Sequence, residues 1–206
     1  MPTKKNNKKV RITRKMYLDK LKKKYPICIH DDVKKSDFGI NNVTYGEMNY
    51  DGIEKLYKYV KNNYQNIKTF IDIGSGRGKL CIHMSSFPKI KKSIGIEIVR
   101  ERHNDALKLL KTTQSEYSKK IEFINDDIFN INLNDHIDKN GSVFVWWSNL
   151  CFDQSVTDGI YDKLIRELPK GSVICCSKSN RNDNPVDSII IPMSWSYNSN
   201  VLIYEN

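Results

Sequence analysis

Residues 70–78 read Phe-Ile-Asp-Ile-Gly-Ser-Gly-Arg-Gly. An apolar, β-branched run closed by alternating glycines demands a buried strand, then a tight turn whose backbone can approach a ligand, then a helix. That unit opens a wound α/β sheet, so the flanking sequence should alternate strand and helix signals. It does. Before the unit, Ile53, Leu56, Tyr57 and Val60 recur at i, i+3, i+4 and i+7, the apolar face of a helix starting near Tyr50. After it, a helix over Leu80–Met84, a strand over Ser93–Ile98, a helix over Glu101–Tyr117 and a strand over Ile121–Asn125 are predicted. A nearly all-apolar strand (Ser142–Trp147), a helix (Val156–Leu168) stopped by Pro169-Lys170-Gly171, and a strand (Ser172–Ser177) follow. Ser188–Met193 and Asn200–Tyr204 leave no room for a crossover helix and should pair antiparallel. The expectation is an α/β, Rossmann-like domain, with a mostly parallel sheet and a C-terminal antiparallel hairpin.

The glycines at 74, 76 and 78 give G-x-G-x-G, not the G-x-G-x-x-G of nicotinamide enzymes, and Asp72 stands two residues before the first. A carboxylate there can accept hydrogen bonds from an ammonium group. Glu97, nineteen residues after Gly78 at the end of the second strand, can take both hydroxyls of a ribose. The third strand runs into Asn125-Asp126-Asp127-Ile128. The bland alternative is a βα turn with solvated acids, but three acids after three successive strands favour a nucleoside site. The spacing resembles motif I of the S-adenosylmethionine enzymes and so implies a class I S-adenosylmethionine-dependent methyltransferase, with S-adenosylhomocysteine as product. In that superfamily an acid after the third strand bonds the adenine amino group, which points to Asp127, with Ile128 against the ring.

Further segments sharpen the resemblance. Thr44-Tyr45-Gly46-Glu47-Met48 precedes the first helix of the domain, and Val145-Trp146-Trp147-Ser148-Asn149-Leu150-Cys151-Phe152 ends the fourth strand. Cys176-Ser177-Lys178-Ser179 closes the fifth, and Ser194-Trp195 lies near the C-terminus. Together these resemble the disruptor-of-telomeric-silencing (DOT-one-like) family of non-SET histone H3 lysine methyltransferases, over about Thr44 to Tyr204. The resemblance implies that Tyr45, Glu47 and Met48 border the cofactor, and that Asp72, Gly74, Gly76, Gly78 and Lys79 contact its methionine end. Glu97 would take the ribose. Asn149 would sit beside the transferred methyl, its carbonyl orienting the amine, with Phe152 and Trp195 walling a lysine channel and Tyr45 at the catalytic end. An apolar channel and a nearby sulfonium both disfavour the ammonium form of a lysine, whose free pKa is about 10.4, so no dedicated base is required.

Alternatives stay open residue by residue. Asn149 could cap the next helix; Trp146, Trp147, Phe152 and Trp195 could be packing. The sequence also departs from the family. Lys79 replaces a Gln, Ser148 replaces the first Asn of an Asn-Asn pair, and Leu202 falls where a channel Tyr is expected, with Tyr197 or Tyr204 as substitutes. The region before the Tyr-Gly-Glu motif is short.

Composition enters through charge. The 34 Lys+Arg against 24 Asp+Glu give +10 overall and argue for an anionic partner. Much of the excess lies before Pro26: Lys4, Lys5, Lys8, Lys9, Arg11, Arg14, Lys15, Lys20, Lys22, Lys23 and Lys24. Density on one arm suggests a phosphate track with salt-sensitive, sequence-independent binding, and Arg181 is a further candidate anchor on acidic histone surface. The expected organisation is a basic arm (1–26), a connector (27–44) and the catalytic domain (45–206). Expected partners are histone H3 and DNA of the nucleosome, with a monomeric enzyme in the nucleus. Five cysteines without a CxxC pair, and histidines without ligand spacing, give no zinc framework, and no apolar run approaches a membrane span. The sequence shows no secretion signal. Two other readings remain: a class I methyltransferase acting on RNA or a non-histone protein, and a non-catalytic nucleoprotein-binding module that retains the cofactor as ligand.

Overall fold

The computed structural model describes residues 13–28, 44–181 and 183–206. Seven strands form one sheet: β1 (Ile67–Ile73), β2 (Lys92–Ile96), β3 (Ile121–Ile124), β4 (Ser142–Trp147), β5 (Val173–Cys176), β6 (Asp187–Ile191) and β7 (Ser199–Glu205), in the order β3-β2-β1-β4-β5-β7-β6. The first five run parallel; β7 is antiparallel to both β5 and β6. The expected hairpin is present, with its second strand inserted beside β5.

Side chains alternate across the sheet, so each inner strand feeds two cores. Phe70, Phe144, Trp146, Val173 and Cys175 face one core with α2 (Tyr50–Asn63) and α3 (Lys79–Ser85). Ile71, Ile73, Val143, Val145, Trp147, Ile174 and Cys176 face the other, under α6 (Gln154–Glu167). Cys81, Cys175 and Cys176 are buried, as small apolar residues would be.

One stretch departs from the sequence reading. The helix expected over 101–117 is broken into α4 (Arg100–Lys111) and the single turn α5 (Ser115–Ser118). The hydroxyls of Thr112 and Thr113 bond back to the Leu109 carbonyl at 2.9 and 3.1 Å, competing with continuation of the helix. Residues 14–24, at the end of the expected basic arm, carry Met16, Tyr17 and Leu21 at roughly helical spacing and form α1 (Arg14–Lys24), which buries Tyr17, Leu18 and Leu21 in the first core. Thr13 accepts from the Met16 amide as its N-cap.

The parallel strands end level. Ile73 pairs with Ile96 and Trp147, Ile96 with Ile124, and Trp147 with Cys176. The loops leaving this edge therefore converge, and the Tyr-Gly-Glu segment reaches them through a lone bridge between Met48 and Met193.

Candidate active site

At that edge lies a cavity of about 420 Å³. Tyr45, Glu47, Met48, Asp72, Gly74, Gly76, Lys79, Glu97, Asp127, Ile128, Phe152 and Trp195, all named from sequence, line it. Asn149 and Gly78 do not.

The glycine loop is shaped by its own backbone. Gly74, Gly76 and Gly78 adopt φ of +73, +53 and +74°, and the Gly74 and Ser75 amides donate to the Ile96 carbonyl at 2.9 and 3.0 Å. The Glu97 carboxylate takes the Gly76 amide at 2.7 Å through one oxygen and the Val99 amide at 2.8 Å through the other. A β-carbon on Gly76 would lie 2.6 Å from the Tyr45 ring, so this position is held to glycine by both φ and contact. With these amides spent inside the protein, the loop offers no nest of free N–H groups for a pyrophosphate. What it offers instead is carboxylate.

Asp72 and Glu97 are each 4% exposed. Burial, reinforced by the Glu97 charge, pushes the Asp72 carboxyl up to about 8. Its side-chain neighbour is Cys81 Sγ at 3.9 Å, and no cation is bonded to it among the described residues. A cationic group of a ligand beside Asp72 would restore its ionisation. Asp127 accepts from the Phe129 amide at 3.0 Å and starts the 3-10 turn Ile128–Asn130, which seats the Ile128 side chain at the cavity wall.

The far wall is organised by Glu47. Its Oε1 accepts from the Tyr45 hydroxyl at 2.6 Å, and its Oε2 from Lys79 Nζ at 2.8 Å and the Cys28 amide at 2.7 Å. Lys79 also donates to the Pro26 carbonyl. This settles where the unusual lysine points: it is paired, not set loose against a cationic ligand. Burial and the adjacent Glu47 carboxylate raise the Tyr45 pKa, so its phenol stays protonated as a donor. The Glu47 amide and carbonyl bond Ser194 Oγ at 3.0 Å and the Ser194 amide at 2.8 Å, which draws the hairpin loop over the site. Trp195, 40% exposed, then packs against Gly46, where a β-carbon would meet the indole at 2.4 Å.

Several expectations need correction. Asn149 neither lines the cavity nor caps α6, whose N-cap is Asp153. It is fully buried, its Oδ1 accepting from the Ser177 and Lys178 amides at 3.0 and 2.8 Å and its Nδ2 donating to the Lys178 carbonyl at 2.9 Å. The carboxamide clamps the ends of β4 and β5 together. Tyr197, 80% exposed, and Tyr204, packed edge-on against Tyr161, both lie away from the cavity, as does Leu202. Arg14 is engaged within the domain rather than extended into solvent. It bonds Glu54 at 2.8 Å and Ser86 at 3.0 Å, and its guanidinium lies 4.0 Å from the Phe87 ring centre. Lys22 is 3.6 Å from Asp51, while Lys15, Lys23, Lys24 and Arg181 are exposed. Lys4, Lys5, Lys8, Lys9 and Arg11 lie outside the described residues.

Sequence reasoning missed three features. Ser148 lines the cavity beside the clamped Asn149. Arg102, 7% exposed, lines it too and holds its guanidinium 4.9 Å from the Tyr45 ring centre. His83, buried completely, bonds Glu54 at 2.6 Å. Burial alone would raise the Glu54 carboxyl, yet His83 and Arg14 hold it at about 2. Arg102 and His83 lay on helix faces with no motif around them; Ser148 was visible only as a departure from the family pattern.

The fold recurs in solved structures. An RNA methyltransferase from Salinibacter ruber, determined with S-adenosyl-L-homocysteine, superposes with a TM-score of 0.60 at 16% identity, covering 76% of this chain and 91% of that one. The rRNA methyltransferase aviRa from Streptomyces viridochromogenes gives 0.57 at 10% identity, over 85% and 94%. At such identities the likeness shows the class I methyltransferase fold. In sequence, a Caenorhabditis elegans protein named histone-lysine N-methyltransferase, H3 lysine-79 specific, is 30% identical over 141 residues. That match takes in 66% of this chain but only 15% of the nematode protein's length. The family described as histone methylation protein DOT1 matches residues 25–189, spanning the Tyr-Gly-Glu segment, the glycine loop and the end of β4. The chain therefore belongs to the DOT1 histone methylation family.

Proposed function

We propose that this chain is an S-adenosylmethionine-dependent protein-lysine methyltransferase that acts on histone H3 in nucleosomes. The observation that carries the reading is the pairing of a buried, uncompensated Asp72 with a glycine loop whose amides are already satisfied. Such a site suits a cationic nucleoside and disfavours a dinucleotide pyrophosphate.

The residues present fit that cofactor. Asp72 would hold its ammonium and Glu97 its ribose hydroxyls, with Asp127 at the adenine amino group and Ile128 against the ring. Lys79 uses two of its three donors, on Glu47 and Pro26, leaving one for the carboxylate. When bound, the cofactor supplies an electrophilic methyl: the amine lone pair forms the N–C bond as the C–S bond breaks, its electron pair passing to sulfur. Trp195 and Phe152 would wall the alkyl stem of the lysine, and their apolar surface disfavours the ammonium form, so the amine enters neutral with its proton left to solvent. Tyr45 remains a hydrogen-bond donor to Glu47 and takes no proton. Alignment of amine and methyl then supplies most of the rate.

The substrate assignment rests on family membership and the name of the nematode relative. The exposed Lys15, Lys23 and Lys24, with the lysines preceding them in sequence, would contact DNA, and Arg181 would contact the histone surface. This organisation, a basic segment ahead of a catalytic domain working on chromatin in the nucleus, is part of the proposal. The test supplies labelled S-adenosylmethionine with nucleosomes, free histones and RNA side by side. Label on H3 in nucleosomes, and much less on free H3, is the expected result; label confined to RNA contradicts the proposal.

A further inference from the structure

We infer that Ser148 is the residue that receives the acceptor amine, and that Asn149 serves only to place it. The inference rests on the methyltransferase reading above and extends it to the acceptor side of the same cavity.

An amine attacking in line must aim its lone pair at the methyl. Its N–H bonds then need acceptors to the side, and those acceptors must be neutral, because a carboxylate would favour the protonated, unreactive form. The cavity's polar atoms can be tested against this requirement one at a time. Tyr45 donates its hydroxyl to Glu47, and Glu47 is a carboxylate already bonded by Tyr45, Lys79 and Cys28. Asp72, Glu97, Asp126 and Asp153 are carboxylates, and the Ser75 hydroxyl, although unpartnered, is sealed within the glycine loop. Asp127 is turned into its own 3-10 turn. Asn149 has both lone pairs of its carbonyl oxygen occupied by backbone amides and is fully buried. Ser148 differs on each count. It lines the cavity, is half-buried, carries no charge, and its hydroxyl makes no hydrogen bond among the described residues. It also follows the last residue of β4, on the side where Trp146, Cys151 and Phe152 form the wall.

The clamp explains why the hydroxyl is well placed. Asn149 ties the peptide after β4 to the peptides after β5 by three hydrogen bonds of 2.8–3.0 Å. The backbone at Ser148 is thereby fixed relative to the sheet edge, and a short side chain with one rotor has little left to order. In the transfer, the Ser148 oxygen accepts one N–H of the neutral amine. The other proton released on methylation leaves to solvent, and Ser148 keeps its own.

The test compares Ser148→Asp with Ser148→Asn, nearly equal in shape and different in charge, on nucleosomes with saturating labelled S-adenosylmethionine. If the side chain meets the amine, the Asp variant stabilises the ammonium, and its pH–rate profile moves alkaline of the Asn variant by about one unit or more. Ser148→Ala should lower kcat about tenfold, the worth of one hydrogen bond at the reacting atom, with acceptor KM and S-adenosylhomocysteine affinity within about twofold. The Ala variant also keeps the proposal testable should the Asp variant fail to fold. Coincident profiles for Asp and Asn, or an Ala variant at the wild-type rate, overturn the assignment of Ser148 alone. A wild-type chain that methylates no lysine overturns the function itself.

Discussion

At the glycine-loop end of the cavity the polar contacts are carboxylate and backbone: Asp72 and Glu97 are nearly sealed, and Glu97 bonds two amides. At the β4 end the wall is Trp146, Phe152 and Trp195 with the neutral Ser148, and the exposed Asp153 stands at the rim. On the proposed function the first end would discriminate by charge, and its geometry is tied to the ends of the parallel strands. The second would discriminate by shape, and its wall includes Trp195 from the hairpin loop that Ser194 ties to Glu47. Glu47 joins the two, bonding Tyr45 and Lys79 on one side and Ser194 on the other.

The largest effect should come from breaking that joint. The Lys79–Glu47 pair is about one-tenth exposed on each side. Removing one partner leaves a buried charge and should cost about 3 kcal/mol of unfolding free energy, whereas Lys79→Met with Glu47→Gln together should cost much less than the sum. Denaturant unfolding of the two single variants and the double variant checks this. If the costs simply add, Lys79 and Glu47 are not energetically coupled.

Next is Asp72. Asp72→Asn should weaken S-adenosylmethionine binding roughly 100-fold, because a charge-assisted bond is lost in a buried site. The pH dependence follows from its raised pKa. Below about 8 the free protein holds the carboxyl protonated, so cofactor affinity should fall as pH falls, and the Asn variant should lose this dependence. Stability without ligand runs in the opposite direction. The folded state binds this proton more tightly than the unfolded state, so unfolding free energy declines as pH rises from the ordinary carboxylate range toward 8. Flat titration curves for wild type and variant alike would remove charge selection from this end.

A smaller effect is expected at the shape-selecting end. Gly46→Ala displaces the Trp195 indole. It should reduce kcat/KM for the protein acceptor about tenfold while leaving cofactor affinity within about twofold. Equal losses in both would mean that the ends are not separate. Smallest is Arg14→Met. Its fork bridges the part-exposed Glu54 and the buried Ser86, and with the ion pair largely solvent-screened it should cost about 1 kcal/mol of stability and leave DNA affinity unchanged. Charge removal at Lys23 and Lys24 should instead weaken DNA binding in a salt-dependent way.

The contrast between the ends also governs what could be read from sequence. Asp72, Glu97 and Asp127 were legible because a parallel sheet forces strand ends to one edge, so an acid after a strand has a place before any side chain is packed. The glycine loop was legible because positive φ and a close ring contact leave glycine as the residue that fits. Asn149 was misread because adjacent residues leaving a strand point in different directions, and the motif alone does not say which faces the cavity. The β4–β5 clamp is a contact between residues 28 and 29 apart, invisible to local pattern. Arg14 and Arg102 were opaque for a related reason: a cation looks alike in sequence whether it faces solvent or an aromatic ring. The break after Lys111 depended on threonine hydroxyls returning to their own helix, which apolar periodicity does not register.

The most direct measurement is calorimetric titration of S-adenosylmethionine into the protein at pH 7 in buffers of different ionisation enthalpy. If Asp72 meets a cationic group of the cofactor, binding should be one to one and release about one proton, as the carboxyl ionises in the complex. Absence of binding by S-adenosylmethionine and S-adenosylhomocysteine, with tight binding of NAD, would contradict it.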